Sequence, residues 1–259
     1  MLAVVALVLV LGLLIGSFLN VVIHRVPRGE SVVHPGSRCP GCGKEIRPWD
    51  NIPVLSWLLL RGRCRNCGER ISVRYPLVEL LTGLMFLAVL VWSGVTWQLP
   101  AYLYLAAIGV ALSAIDLDTK RLPNQIVLPS YVVALVLLLL PAAIDGEWTS
   151  YLRAMLGGAA LFAFYFLLAF IYPAGMGFGD VKLAGVLGIY LGWVSWGVLV
   201  LGGFAAFLLG AVVGIGVIVF GKGGRKTKVP FGPFMIVGTF LALFFGQPLV
   251  DWYVSRLGL

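Results

Sequence analysis

Acidic side chains are scarce in this chain: eleven Asp and Glu in 259 residues, beside nineteen Lys and Arg and two His. Charged residues of both signs reach only 12% of the total, too few to clothe a soluble domain of this length, where about 25% is usual. Short segments of alternating polarity are missing as well, which excludes a transmembrane β-barrel. No A-x-A cleavage site follows the first apolar run. That run is also too long for a signal-peptide core, so it is read as a retained helix. Cysteine is absent everywhere except between residues 39 and 67.

What fills the chain instead is apolar. Hydrophobic residues make up 60% and the mean hydropathy is +1.00. Apolar runs cover roughly 2–23, 76–95, 99–115, 125–144, 151–172, 181–193, 195–220 and 231–249. Runs of about 20 such residues are long enough to cross a bilayer as helices. The sixth is shorter, and it is parted from the seventh only by "LGWVSWG". The pattern predicts an all-α polytopic membrane protein of about eight transmembrane helices. No internal repeat stands out.

The net charge of +8 does not point to nucleic acid in such a chain; Lys and Arg chiefly mark the loops that stay in the cytoplasm. With the N-terminus outside, the cytoplasmic segments are 24–75, 116–124, 173–182 and 221–230. They hold 10, 2, 1 and 4 Lys/Arg, which is 17 of the 19, and only Arg153 and Arg256 fall elsewhere. An N-out topology follows.

Residues 27–75 do not belong to the membrane. They are polar, rich in Gly, Pro and Arg, and too long for an idle connector. They carry "CPGCG" at 39–43 and "CRNCG" at 64–68. A C-x2-C pair, a spacer and a second C-x2-C pair is the pattern of a structural zinc ribbon. Each two-residue gap turns both thiolates toward one ion, and the glycine after each pair relieves the turn. Cys39, Cys42, Cys64 and Cys67 are therefore the expected zinc ligands, and four thiolates leave no open coordination position. Two redox pairs are the rival reading, disfavoured on a reducing cytoplasmic face. The expected organisation is a first transmembrane helix at 1–26, a small cytoplasmic zinc-ribbon-like insert at 27–75, and a membrane core at 76–259.

Carboxylates beside apolar helices are costly and usually functional. Five qualify: Glu79, Asp116, Asp118, Asp180 and Asp251. Asp251 is placed at the outer end of the last helix, and Glu79 one turn into the second, where a capping or dipole role suffices. Asp116 and Asp180 both fall at the cytoplasmic boundary, on helix ends that antiparallel packing can bring together. Two carboxyls a few ångströms apart share a proton. The ionised one can then take a proton from water while the other polarises a carbonyl, the division of labour of an aspartic protease. Asp180 lies in "GMGFGDVKLAG", residues 175–185. There Gly177 and Gly179 let an extended substrate backbone approach. A plain helix N-terminus capped by Asp180 is the alternative.

"SAIDLDTKRLPN" at 113–124 followed by "GMGFGD" at 175–180 resembles the type IV prepilin peptidases, intramembrane aspartyl proteases of the GxGD type. The resemblance covers nearly the whole chain: "GSFLNVVIHRVP" at 16–27, the cysteine pairs, "DNIPVLSWLLLRGRC" at 50–64, "RYPLVE" at 74–79 and "PFGPF" at 230–234 follow in the same order. It implies a bacterial inner-membrane enzyme that cleaves the basic leader of type IV prepilins and type II secretion pseudopilins after a glycine. The tetracysteine segment implies a second activity, methylation of the new N-terminal residue with S-adenosylmethionine. The family's first aspartate lies six residues before a Leu-Pro equivalent, here Leu122-Pro123, which selects Asp116 over Asp118; the second is Asp180. No glycine-rich fingerprint marks where S-adenosylmethionine binds.

Other residues receive plainer expectations. Lys182 is expected to snorkel to the headgroups, Asn20 to bond a neighbouring helix, and His24 and His34 to lack catalytic partners. A transporter relaying protons through paired carboxylates is the alternative function, although transport sites usually sit near the midplane. A membrane assembly protein leaves the GxGD glycines unexplained, and a presenilin-type protease lacks the tetracysteine insert.

Overall fold

The computed structural model describes residues 1–173, 175–220 and 229–257. The basic segment expected at 221–230 falls largely outside the described residues. Among those described, regular structure is helical: α1 (Leu2–Arg25), α2 (Leu55–Leu59), α3 (Arg74–Ser93), α4 (Leu99–Thr119), α5 (Asn124–Ile144), α6 (Trp148–Ile171), α7 (Phe178–Val194), α8 (Trp196–Val219) and α9 (Gly232–Leu257). All but α2 match the eight apolar runs. Seven of them are long and apolar enough to cross a membrane; α7, with 17 residues, is not among these. The all-helical, multi-pass membrane reading is thereby borne out.

Three boundaries differ from the hydropathy pattern. α4 runs on to Thr119 and closes with Lys120 in the left-handed conformation, φ +53°, so Asp116 and Asp118 lie within the helix rather than in a loop. α9 continues past Pro248 to Leu257, which puts Asp251 inside a helix, where its Oδ1 accepts a hydrogen bond from Gln247 Nε2 at 2.7 Å. The break between α7 and α8 is a single residue, Ser195, whose Oγ caps α8 by accepting from the Val198 amide at 3.2 Å.

The chain divides into two compact units. Met1–Val95 with Tyr102–Ala111 forms one, and Thr96–Ala101 with Leu112–Leu259 forms the other. In the first unit α1 packs along α3. Gly12 and Gly16 permit this, because an added Cβ would lie 2.8 Å from Gly83 Cα and 2.7 Å from Glu79 Cα. Asn20 Nδ2 donates to the Tyr75 carbonyl of α3 at 3.2 Å, in line with a helix-bonding role. The cysteine-bearing segment follows α1 and returns into α3.

In the second unit α7 is the centre. It is buried from Val181 onward except at Lys182 and its last residue, and it touches α5, α6, α8 and α9. A helix apolar on every face is a buried one. Small residues let α6 come to backbone contact with it: an added Cβ at Gly188 would lie 2.5 Å from the Gly157 carbonyl oxygen. The C-terminal carbonyls of α7 are orphans of the helix, and Arg153 of α6 closes them. Its Nε donates to Gly192 O at 2.7 Å and its Nη2 to Val194 O at 2.9 Å. Arg153, an exception to the charge pattern, is thus a helix-capping cation.

Candidate active site

Asp116 sits in the last turn of α4 and is only 4% exposed. Its Oδ2 accepts a hydrogen bond from the Gly232 amide at 3.0 Å. Asp118, two residues on and so nearly on the opposite face of the helix, is exposed. The chain leaving α4 carries Leu122, and this side chain fills the space between the two glycine stretches. A Cβ on Gly179 would lie 3.1 Å from Leu122 Cβ, and one on Gly232 would lie 3.3 Å from Leu122 Cδ2.

Asp180 lies at the third position of α7, half-buried, and its Oδ2 accepts from the Gly177 amide at 3.2 Å. It closes back on the residue preceding the helix, as the acidic member of a capping box does. The capping and the site readings are therefore compatible at one residue. The carboxyls of Asp116 and Asp180 interact electrostatically, as do Asp180 and the phenol of Tyr165 on α6. Two carboxyls in such proximity disfavour double ionisation.

The glycines act by their missing Cβ rather than by unusual dihedrals. Gly177 is extended, φ −76° and ψ 147°, a conformation open to any residue. Gly232 cannot be replaced so easily: its Cβ would lie 2.8 Å from Asp116 Oδ2. Phe231 beside it is wedged among Phe207 and Tyr165, with ring centroids 5.4 and 6.4 Å away.

Lys182 has local partners. Its Nζ donates to Asn124 Oδ1 at 3.0 Å and lies 4.8 Å from the Phe178 ring centroid, while its carbonyl accepts from Tyr131 Oη at 2.6 Å. The ammonium thus has a local anchor on α5. Glu79 is also more than a helix-end charge: it is 8% exposed, and its Oε2 accepts from the Val54 amide at 2.7 Å. His24 does have a neighbour, Arg28 Nη1, 3.2 Å from its Nδ1. Tyr165 and the Gly232 amide contact escaped the sequence reading, and Leu122 entered it only as a spacing mark; the "PFGPF" string was visible, but its approach to Asp116 spans 116 positions.

The cysteines form two matched knuckles. Cys39 N donates to Lys44 O at 3.0 Å and Gly43 N to Cys39 O at 2.9 Å; Cys64 N donates to Glu69 O at 2.8 Å and Gly68 N to Cys64 O at 2.9 Å. Gly43 and Gly68 both adopt positive φ, +67° and +74°, the left-handed turn that favours glycine. The amides of Cys67 and Asn66 turned onto Cys64 hold its thiol down at about 7. All four Sγ atoms lie within 4.8 Å of one another, with Cys39 and Cys67 3.7 Å apart. A tetrahedral zinc with Zn–S bonds of about 2.3 Å has ligand–ligand edges of about 3.8 Å, so this cluster suits that ion.

Two family models match the chain. A family model described as the bacterial peptidase A24 N-terminal domain matches residues 10–93, which include the cysteines. One described as the type IV leader peptidase family matches residues 103–215, which include both aspartates. A prepilin leader peptidase/N-methyltransferase of Aeromonas hydrophila is 38% identical over 277 residues, covering 97% of this chain and 94% of the relative. Proteins of the same description from Stutzerimonas stutzeri and Pseudomonas aeruginosa are 38% and 36% identical, covering 98% and 99% of this chain and 95% and 96% of theirs. No solved structure matches the chain.

Proposed function

The chain belongs to the type IV leader peptidase family, and from that premise we propose that it is a membrane-embedded aspartic endopeptidase acting on type IV prepilins and type II secretion pseudopilins. It removes their leader after a glycine at the cytoplasmic face. The observation that carries the reading is the buried Asp116 carboxyl, bound to the Gly232 amide, with Leu122 from the same end of α4 seated against Gly179 beside Asp180.

Asp116 and Asp180 are the catalytic pair. They share one proton: the ionised carboxylate accepts a proton from the attacking water, and the protonated partner donates a hydrogen bond to the scissile carbonyl. The Gly232 amide holds Asp116 in place, and the Gly177 amide holds Asp180. Gly177 and Gly179 leave room for the substrate backbone beside Asp180. The charge pattern supports an N-out topology in a bacterial inner membrane, with the dyad and the cysteine segment on the cytoplasmic side. Residues 27–75 form the zinc domain between the first helix at 1–26 and the protease core at 76–259. Cys39, Cys42, Cys64 and Cys67 hold a structural zinc. The relatives' second activity extends to this chain: the new N-terminal amine is methylated from S-adenosylmethionine.

Mass spectrometry of a type IV prepilin incubated with the purified protein in detergent tests the reading. Wild type removes the leader, and added S-adenosylmethionine brings a further gain of one methyl group. Asp116→Asn and Asp180→Asn each lower cleavage at least about a thousandfold, within the range attributed to general acid–base groups, while helix content stays that of wild type. An intact prepilin beside folded wild-type protein would overturn the proposal and direct attention to proton flux.

A further inference from the structure

The first unit contains a cavity of about 590 Å³ between the cysteine segment and the adjoining ends of α1 and α3. That is within the span of small-molecule sites, about 300–1,000 Å³. The aspartate pair has no part in it. Resting on the methylation reading above, we infer that this cavity binds S-adenosylmethionine, with Glu79 as the anionic partner of its sulfonium and Tyr75 and Trp57 as the aromatic walls for its adenine.

Charge comes first. Five carboxylates and five Lys or Arg side chains line the cavity. A polyanion such as a nucleoside triphosphate meets as much repulsion there as attraction, and so does a basic peptide. A ligand carrying charges of both signs does not. One anion–cation pair is already internal: Arg65 grips Asp50 through Nε and Nη2 at 2.9 and 2.7 Å. Glu79 is different. It is buried, it lines the cavity, and among the described residues no cation pairs with it. Its fixed neighbour is the Val54 amide, a donor that orients the carboxyl and supplies no positive charge. A buried carboxylate without a counter-ion is costly to keep, and a cationic ligand supplies what is missing.

The backbone behind Glu79 supports this. Val54 has φ +61° and ψ −50°, a genuine outlier for a β-branched residue. Strain of this kind collects at ligand sites. Here it turns the Val54 amide onto Glu79 Oε2. Trp57 is held in place from its own edge, with Nε1 donating to Ile71 O at 3.1 Å, and Asn20, bound to the Tyr75 carbonyl, closes the wall from α1. The cofactor brings a transferable methyl group on a cationic sulfur; the residues named bind and orient it.

Calorimetry on the full, zinc-loaded chain in detergent, with S-adenosylmethionine and its uncharged thioether product S-adenosylhomocysteine as probes, separates the two contacts. Glu79→Gln is expected to weaken S-adenosylmethionine about tenfold or more through the lost charge–charge attraction to the sulfonium, and to leave S-adenosylhomocysteine nearly unchanged. Tyr75→Ala is expected to weaken both about fivefold or more through lost stacking. Wild-type affinity in either variant, or equal losses of the two ligands in Glu79→Gln, overturns the assignment. Should Glu79→Gln lose its zinc or helix content, Tyr75→Ala, whose ring is exposed, decides in its place. Wild-type protein that binds the cofactor but leaves a cleaved pilin unmethylated overturns the methylation reading instead.

Discussion

Asp116 owes its position to a residue without a side chain. Its Oδ2 receives the Gly232 amide at 3.0 Å, and a Cβ on that glycine would lie 2.8 Å from the same oxygen. Gly232→Ala therefore has to displace the carboxylate or the backbone. The expected result is a fall in prepilin cleavage of about tenfold to a hundredfold, as sub-ångström misplacement of a reacting group costs, with melting temperature lowered by only a few degrees. Unchanged turnover would mean that the amide contact is incidental. Asp180 drew attention by its glycines and Asp116 by its place at a helix end, and the choice of Asp116 over Asp118 rested on the family resemblance. The Gly232 contact was not, because nothing local in "PFGPF" names the residue it meets.

At the scale of elements, the unusual object is α7. Hydropathy located its apolar run but not its burial, since 17 residues that touch neighbours on every side look like any short apolar segment. Its position follows from backbone contact with α6, where Gly188 and Gly157 leave no room for a methyl group. Gly188→Ala is expected to destabilise the second unit by about 1–3 kcal/mol, the usual cost of overpacking, read as a lower thermal midpoint in detergent. A midpoint at or above the wild-type value would show that the two helices can part without loss. Arg153 belongs to the same scale. Read as an exception to the charge rule, it is the cation that satisfies the carbonyls ending α7.

For the molecule as a whole, the cysteine segment and the helical core stand on different supports. Residues 27–75 have little apolar core, and such a segment folds only with a staple. Chelation, or Cys64→Ser, is expected to remove one zinc per chain by elemental analysis and to open 27–75 to limited proteolysis. The helices of the second unit should keep their protection, because their contacts are apolar and self-contained. A metal-free protein that still resists proteolysis in 27–75 would show that the hydrogen bonds of the two knuckles suffice without the ion.

By itself the sequence determined the helical membrane architecture, the cysteine quartet and the two carboxylates worth attention. Each of these is local: twenty apolar residues span a bilayer wherever they occur, and two C-x2-C knuckles turn their sulfurs inward by their own glycine turns. Only the tertiary structure decided what those residues meet. The approach of Gly232 to Asp116, the burial of α7 among four helices, and the seating of Glu79 against the Val54 amide join positions far apart in the chain. Such contacts depend on which backbones can come close, and for α6 and α7 that depends on a Cβ missing in both helices at once.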